Sequence, residues 1–236
     1  MVFPRIISFD CAGTLLNVTW DAAEVAIEAS RTMGRDLADE AGAKQAFRQQ
    51  LQARWADYAQ VNTTRSRAAV DEWWLQFACD WGAPLGFDAD ECRTLLRLVW
   101  ERLYSPMEEG FRLYPDVVDC LERLNKHGYA LIVVSNWDIS LEGVLDAHGI
   151  RPYFRRVFAS LVEGVEKPDP RLFQIAIKDF SVNASRVTHI GDDPVDDLEG
   201  ARRAQMHGVM LDRSRFDSRD GIFANLTDFA DKLCSL

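Results

Sequence analysis

The sequence predicts an α/β protein in which a parallel sheet core carries an inserted all-helical domain. The first observation is a set of short, continuous apolar runs, which is typical of strands buried on both faces of a parallel sheet. The second is that helical patterns alternate with such runs after residue 112, as in a doubly wound sheet. The third is a long block in which the only periodicity is helical. The apolar runs lie at 6–9, 130–134, 157–158, 187–190 and 209–211.

Composition excludes several classes of protein. Of the 236 residues, 47% are hydrophobic and 11% aromatic, which is enough to bury a core and too much for a disordered chain. The formal net charge of −10 opposes contact with nucleic acid or with an anionic membrane surface. We therefore expect a small-molecule partner, and an anionic substrate would require local cations or a bound metal ion. The sequence leaves the oligomeric state open.

The sequence shows no sign of export or membrane insertion. No window approaches the roughly 18 apolar residues of a membrane span, and residues 1–5 do not begin a signal-peptide pattern. The five cysteines are scattered and form no C-x-x-C pair, so neither a disulfide framework nor a thiolate zinc site is indicated. We expect a soluble, cytoplasmic protein with reduced thiols.

The first strand ends at Asp10, and after Thr14 we expect no second strand until the chain returns to the core. Amphipathic stripes in this interval predict several helices that share a small core of their own. Six of the seven tryptophans lie in the same interval and favour packing within it. The stripes run over Phe47–Tyr58, Val70–Trp81 and Leu95–Leu103.

These patterns predict two domains. The helical domain occupies residues 17–106, and the α/β core is formed by residues 1–16 together with residues 107–236. The hinges should lie near Asn17–Thr19 and Ser105–Gly110, because the helical periodicity lapses there. An insertion between the first and second strands of a core leaves the rest of the sheet intact.

The helices of the core have recognisable ends. Asp116 is expected to N-cap a helix that ends near Gly128, and a second helix should run from Asp138 to about Gly149. Asp169, followed by proline, is the expected N-cap of a third helix.

Polar side chains follow four of the predicted strands. Asp10 comes after the first, Ser135 and Asn136 after the second, Lys167 after the third, and the acidic stretch 192–197 after the fourth. The carboxyl ends of parallel strands meet at one edge of a sheet, where open α/β sheets bind ligands. Clustered carboxylates repel one another unless a cation joins them, and hard oxygen ligands favour Mg²⁺.

This ordered set strongly resembles the motifs of the haloacid dehalogenase (HAD) superfamily of hydrolases, over nearly the whole chain. Asp10 to Leu15 are similar to the first motif, D-x-D-G-T-L, Ser135 to the second and Lys167 to the third. Gly191 and Asp192, with Asp196 or Asp197, are similar to the fourth. The resemblance implies a Rossmann-like core, and the helical insertion looks like the family's C1 cap.

The resemblance also implies roles for these residues. Asp10 would be the nucleophile that takes up a phosphoryl group, Ser135 would donate to a phosphoryl oxygen, and Lys167 would neutralise charge. Asn136 is expected to help bind the substrate. Phosphoryl transfer depends on positioning and charge neutralisation, which suits this set.

The implied metal site uses the same edge of the sheet. Mg²⁺ would be held by Asp10, the backbone carbonyl of Ala12 and Asp192. Asp197 is the favoured further residue in that shell, and Asp196 remains the alternative because the family's spacing varies there. The implied activity is Mg²⁺-dependent hydrolysis of a small phosphorylated metabolite.

One position departs from the family's phosphatase pattern. Ala12 stands where those enzymes carry an aspartate that protonates the leaving group, an assistance worth roughly 10²–10⁴ in rate. The alternatives are therefore a dehalogenase-like or phosphonatase-like hydrolase that needs no acid there, or a catalytically weak binding protein. A phosphonatase-like reaction would use a cap lysine, and Lys44 is the only one.

Other residues have plainer interpretations. Cys11 lies beside the predicted nucleophile, but Asn17 stands where a thiol phosphatase would need arginine. His189 lies within an apolar run and is interpreted as a buried, hydrogen-bonded histidine. Asp193, before a proline, is interpreted as a helix N-cap.

Overall fold

The structure, a computed structural model, describes residues 5–105, 110–219 and 221–235. The chain divides into two compact units, one comprising Met1–Val18 and Arg112–Leu236, the other Thr19–Phe111. The predicted domain break at 106/107 and most of the predicted hinge Ser105–Gly110 lie outside the described residues. Among those that are described, no helix is long and apolar enough to cross a bilayer.

The α/β unit is built on a parallel sheet, which confirms the predicted fold class. The strands are β1 (Ile6–Phe9), β2 (Leu16–Val18), β3 (Phe111–Leu113), β4 (Ala130–Ser135), β5 (Arg156–Ala159), β6 (Val187–Gly191), β7 (His207–Leu211) and β8 (Ile222–Phe223). Of these, β2 and β3 pair with each other in a separate two-stranded sheet. The main sheet has the order β5-β4-β1-β6-β7-β8, and all its neighbours are parallel. The chain therefore adds strands to one side of β1 and then to the other, which creates a switch point at the carboxyl end of β1.

Helices connect these strands and fill the second unit. The second unit contains α1 (Ala22–Thr32), α2 (Glu40–Ala53), α3 (Trp55–Asn62), α4 (Arg67–Gly82) and α5 (Ala89–Tyr104). The α/β unit contains α6 (Val117–Lys126), α7 (Leu141–Ala147), α8 (Ser160–Glu163), α9 (Pro170–Phe180), α10 (Gly200–Arg203) and α11 (Leu226–Cys234). One turn of π-helix, Pro194–Glu199, joins β6 to α10.

Both faces of the sheet are covered, which explains the continuous apolar strands. Side chains alternate along a strand, so β1 directs Ile6 to one face and Phe9 to the other. Ile6 belongs to the buried cluster that contains Phe173 of α9. Phe9 meets Phe229 of α11 edge-on, with 6.3 Å between ring centroids. Every residue of β1 and β4 is buried, so a one-residue slip would move each side chain to the opposite packed face and disrupt the packing on both.

The second unit has its own aromatic core. Phe47 of α2 contacts Phe77 and Trp81 of α4, with ring centroids 4.8 and 5.6 Å away. The Trp81 indole donates to the backbone oxygen of Ala43 at 2.9 Å, which satisfies its buried N–H. Trp55 is the exception among the large side chains, since 44% of its surface is exposed.

Three local predictions are wrong. The chain does form a strand after Thr14, because β2 pairs with β3 in a two-stranded sheet. β2 has only three residues, Leu-Asn-Val, which is too short to show a periodicity. The stripe Phe47–Tyr58 is likewise not one helix, since α2 and α3 meet at Arg54.

Asp116 does not N-cap α6 through its side chain. Its carboxylate instead accepts hydrogen bonds from Arg213 and from the backbone N–H of Leu226, the latter at 2.8 Å. Asp169 does cap α9, because it accepts from the N–H of Arg171 at 2.9 Å.

We predict that Leu121→Ala destabilises the α/β unit by about 2–5 kcal/mol, because Leu121 is 0% exposed on α6 and its truncation leaves a cavity. Val118→Ala on the same helix is the control, since Val118 is 39% exposed and should cost at most about 0.5 kcal/mol. Denaturant unfolding followed by circular dichroism measures both. Equal midpoints for the two variants would contradict the assignment of α6 to the core.

Candidate active site

Asp10 follows β1 directly and lies buried at the carboxyl end of the sheet. Its backbone N–H donates to the Ile190 carbonyl at 3.0 Å, which fixes the main chain beside β6. Its Oδ1 accepts from Ser135 Oγ at 2.8 Å and from Lys167 Nζ at 2.5 Å. No described residue donates to Oδ2. The carboxylate is thus oriented through one oxygen and keeps the other for a ligand or a reaction.

Lys167 is 5% exposed, and its ammonium lies 2.5 Å from Asp197 Oδ1 as well as from Asp10. Asn136 holds the lysine in place through its backbone, accepting from the N–H of Lys167 at 2.8 Å and donating to its carbonyl at 3.0 Å. The same amide donates to Asp196 Oδ2 at 3.1 Å. Asn136 therefore positions Lys167, and its predicted contact with substrate stays a prediction.

Asp192 follows β6 and approaches the loop after β1 very closely. Thr14 Oγ1 donates to Asp192 Oδ1 at 3.2 Å. Gly13 has a φ of +73°, and a Cβ at that position would overlap the Asp192 carboxylate. Glycine is therefore required here both for its left-handed backbone and for the missing side chain.

Asp197 is buried and shared among three donors. Its Oδ1 accepts from Lys167 and from His189 Nε2, the latter at 3.0 Å, and its Oδ2 accepts from the N–H of Asp193 at 3.0 Å. Ser8 Oγ lies 2.8 Å from His189 Nδ1, so the network assigns the proton of a neutral imidazole to Nε2. Strand register pairs Ser8 with His189, which places both polar groups on one face of the sheet.

Carboxylate oxygens of Asp10, Asp192 and Asp197 lie within 4.8 Å of one another. Asp196 is turned toward Asn136, so the structure groups Asp197 rather than Asp196 with the other two. Three convergent carboxylates fit a hard divalent cation such as Mg²⁺. Gly191 is part of this fit, since a Cβ there would overlap the Asp197 side chain.

The pKa values of the three carboxyl groups diverge. Burial raises the pKa of Asp10, and the nearby Lys167 charge offsets this only in part. Partial burial of the carboxylate, followed by the charges of Asp10 and Asp197, raises the pKa of Asp192 to about 6, although part of this residue faces solvent. Burial would also raise the pKa of Asp197, but the His189 hydrogen bond and the Lys167 charge hold it well below its usual range.

Two residues of the loop after β1 bear on the chemistry. Ala12 supplies no carboxyl group, and a β-bridge pairs it with Leu16. Cys11 is fully buried, and burial, with the Asp10 charge, raises the pKa of its thiol well above the usual value. A protonated, buried thiol is a poor nucleophile, which agrees with the sequence argument against a thiol phosphatase.

The sequence and fold have clear relatives. A family model for hydrolases, described as haloacid dehalogenase-like hydrolase, matches residues 4–205. Haloacid dehalogenase-like hydrolase domain-containing protein 3 of Homo sapiens is 28% identical over 211 residues, covering 88% of this chain and 81% of that protein. A phosphoserine phosphatase of Thermus thermophilus is 35% identical over 105 residues, which are 44% of this chain and 42% of the relative.

Solved structures share the fold at low identity. A HAD phosphatase from Thermococcus onnurineus has a TM-score of 0.65 with 22% identity, covering 97% of each chain. A 2-haloacid dehalogenase from Pseudomonas syringae has a TM-score of 0.69 with 22% identity, covering 98% of this chain and 99% of that one.

The parallel sheet places the chain in the α/β class, and the matching family model makes it a hydrolase. The chain belongs to the haloacid dehalogenase-like hydrolase family.

Sequence reasoning missed two contributors to this site. Thr14 donates a hydrogen bond to Asp192, and His189 donates one to Asp197. His189 is buried and hydrogen-bonded as predicted, but its partner Asp197 was not foreseen. A signal for His189 exists, since Ser8 and His189 are polar residues inside otherwise apolar strands. Asp193 caps the segment that carries Asp197, as predicted, by accepting from the N–H of Val195 at 2.7 Å.

We predict that Asp192→Asn stabilises the metal-free protein at pH 7, because it removes a carboxylate whose ionisation is opposed by partial burial and by the charges of Asp10 and Asp197. The folded protein binds a proton at Asp192 near pH 6, whereas the unfolded chain binds it only near pH 3.8. This group's contribution to wild-type stability therefore falls as pH rises from about 4 to about 6. The gain from the variant should be largest at pH 7 and should vanish near pH 4.

Thermal or denaturant unfolding in EDTA, measured from pH 4 to pH 7, tests this prediction. Glu199→Gln is the matched control, since it removes an exposed carboxylate from the adjoining segment and breaks only a surface pair with Arg203. Destabilisation by Asp192→Asn at pH 7 would show that repulsion does not govern this carboxylate.

Proposed function

We propose that the protein is a Mg²⁺-dependent phosphohydrolase that acts on a small phosphorylated metabolite through an aspartyl-phosphate on Asp10. The observation that carries the proposal is the shared ammonium of Lys167, 2.5 Å from both Asp10 and Asp197, beside three clustered carboxylates. This arrangement places one fixed cation beside the proposed nucleophile. The phosphatase relatives support the same class of substrate.

In the first step, an oxygen of Asp10 attacks phosphorus, and the bond from phosphorus to the leaving oxygen breaks. Ser135 and Lys167 hold the attacking carboxylate at the required rotation through Oδ1. Lys167 also neutralises part of the negative charge on the transferring group, and its burial strengthens that interaction. In the second step, water attacks phosphorus and loses a proton to the solvent, the bond to Asp10 breaks with its electron pair returning to the carboxylate, and phosphate leaves.

Asp10, Asp192, Asp197 and the carbonyl of Ala12 are the groups proposed to hold Mg²⁺. When bound, the ion would neutralise charge on the phosphoryl oxygens and on the carboxylates around it. Asp197 has three of its acceptor positions occupied by Lys167, His189 and Asp193, so it would contribute through its remaining Oδ2 position. Thr14 orients Asp192 through the hydrogen bond to its Oδ1.

A dehalogenase-like reaction is the second candidate, because Ala12 offers no proton to a leaving group and a departing halide needs none. The phosphonatase-like alternative is disfavoured, since the ammonium of Lys44 lies 2.6 Å from Glu24 within the helical unit. Turnover of 2-chloropropionate without metal would favour the dehalogenase.

We predict that the protein hydrolyses p-nitrophenyl phosphate with Mg²⁺ and that EDTA abolishes the activity. Asp10→Asn removes the proposed nucleophile and should lower kcat at least about 10³-fold. Asp119→Asn on α6 is the control, since it removes a carboxylate that pairs only with Arg123 at the surface. Equal metal-dependent activity in Asp10→Asn and wild type would exclude the mechanism, and turnover of neither p-nitrophenyl phosphate nor 2-chloropropionate by wild type would favour a binding protein.

Ala12 leads to a prediction about the leaving group. Without an acid at this position, kcat/KM should fall steeply as the leaving-group pKa rises. Aryl and acyl phosphates should therefore be hydrolysed with a higher kcat/KM than alkyl phosphates. Ala12→Asp should flatten this dependence, with a gain on alkyl phosphates that approaches about 10²-fold. The measurement is kcat/KM against leaving-group pKa for both proteins.

Ala12→Ser is the control for this series, because it changes the size and polarity of position 12 without adding a carboxyl group. A flat dependence in wild type would mean that another group already supplies the proton. That result would contradict the proposed consequence of Ala12 while leaving the nucleophile in place.

A further inference from the structure

We propose that Arg213 is a positioning residue that holds the nucleophile loop, residues 10–16, in its active conformation. The inference rests on the proposed function, because it assigns Arg213 a role in arranging Asp10 and Asp192 for that reaction. Arg213 lies two residues after β7, far in sequence from the four motifs.

The guanidinium of Arg213 joins three parts of the α/β unit. Its Nη2 donates to the Thr14 carbonyl at 2.7 Å, inside the nucleophile loop. Its two terminal nitrogens donate to Asp116, at 2.9 Å for Nη1 to Oδ2 and 3.1 Å for Nη2 to Oδ1. Its planar face lies over the ring of Tyr114, with 3.7 Å from Cζ to the ring centroid. A planar, forked cation is the side chain that can make all of these contacts together.

The partner of Arg213 is itself fixed. Asp116 accepts from the N–H of Leu226 at the start of α11, and its side chain is 12% exposed, against 17% for Arg213. A partly buried pair with this geometry is screened less than a surface ion pair. The guanidinium is therefore held by α11 and by the segment before α6, and it presents one N–H to the loop.

Thr14 transmits this constraint to the site. Its carbonyl is held by Arg213, while its hydroxyl donates to Asp192 Oδ1, and the residue is 0% exposed. The adjacent Leu15 carbonyl accepts from the N–H of Tyr114 at 3.1 Å. Two consecutive carbonyls of the loop therefore accept hydrogen bonds, one from Arg213 and the other from the backbone N–H of Tyr114.

Arg213 makes no hydrogen bond to Asp10 or Asp192, so its effect must pass through Thr14. Loss of the guanidinium frees the Thr14 carbonyl and loosens the loop that carries Asp10 and that contacts Asp192 through Thr14. The expected result is misplacement of the carboxylates rather than loss of a substrate contact. We therefore expect a fall in kcat, with KM nearly constant.

The test compares Arg213→Ala and Arg213→Lys with the matched control Arg123→Ala. Arg123 joins α6 to Asp231 of α11 and also pairs with Asp119 on its own helix, so its removal breaks arginine ion pairs within the α/β unit, but away from the loop. Arg213→Lys keeps a charge opposite Asp116 and protects the fold if the alanine variant unfolds. Hydrogen exchange of the peptide spanning residues 10–18 and Mg²⁺-dependent turnover of p-nitrophenyl phosphate are measured for each protein.

In Arg213→Ala the loop amides should exchange at least about tenfold faster than in Arg123→Ala, with the rest of the α/β unit unchanged. The value of kcat should fall up to about 10²-fold, and KM should change less than about threefold. Millimolar guanidinium should restore part of the lost activity of Arg213→Ala. It should leave the activity of Arg123→Ala unchanged. Arg213→Lys should lie between wild type and Arg213→Ala in both measurements.

Three results would overturn the proposal: equal loop exchange in Arg213→Ala and the control, faster exchange spread over the whole unit, or a mobile loop with wild-type kcat. Failure of the proposed function is distinguishable from these. In that case wild type shows no turnover of the aryl phosphate, while the comparison of loop exchange still decides whether Arg213 holds the loop.

Discussion

The ammonium of Lys167, shared between Asp10 and Asp197, is the interaction on which the site depends. Both ion pairs measure 2.5 Å, and all three side chains are almost fully buried. Removing one partner from such a set would leave an uncompensated charge in a poorly solvated place, which costs several kcal/mol. Burial alone would lower the pKa of Lys167, but the two carboxylates outweigh it and raise that pKa. The lysine therefore stays charged, as charge neutralisation during phosphoryl transfer would require.

The parallel sheet explains how these groups meet. Asp10, Ser135 and the residues after β6 come from strands that are neighbours in space although far apart in sequence. The register of β1 with β6 also aligns Ser8 with His189, and His189 in turn donates a hydrogen bond to Asp197. The Asp197 carboxylate is consequently oriented by side chains of the buried strands, which have little freedom to move.

Strand ends can be predicted from the sequence because each apolar run stops abruptly at a polar residue. That pattern is sufficient to place Asp10, Ser135 and Asp192 at one edge of the sheet. Side-chain partners in loops cannot be predicted in this way. Asn136 holds the Lys167 backbone, and Asp116 binds Arg213 instead of capping α6, because both contacts depend on loop conformations that no local pattern encodes. The three-residue strand β2 cannot be predicted from local periodicity, because it pairs with β3, a segment about ninety residues away in the sequence.

The arrangement of charges also bears on which ligands the site can accept. Asp10, Asp192 and Asp197 carry three negative charges against one positive charge on Lys167, within a protein of net charge −10. An anionic substrate approaching this edge would be repelled, whereas a divalent cation would be attracted. Burial raises the pKa of Asp192, and the negative charges of Asp10 and Asp197 raise it further. A divalent cation that satisfies these carboxylates would stabilise the folded state by mass action and would cancel the excess negative charge that repels an anion. An anionic ligand would therefore bind more tightly to the cation-loaded cluster than to the cation-free one.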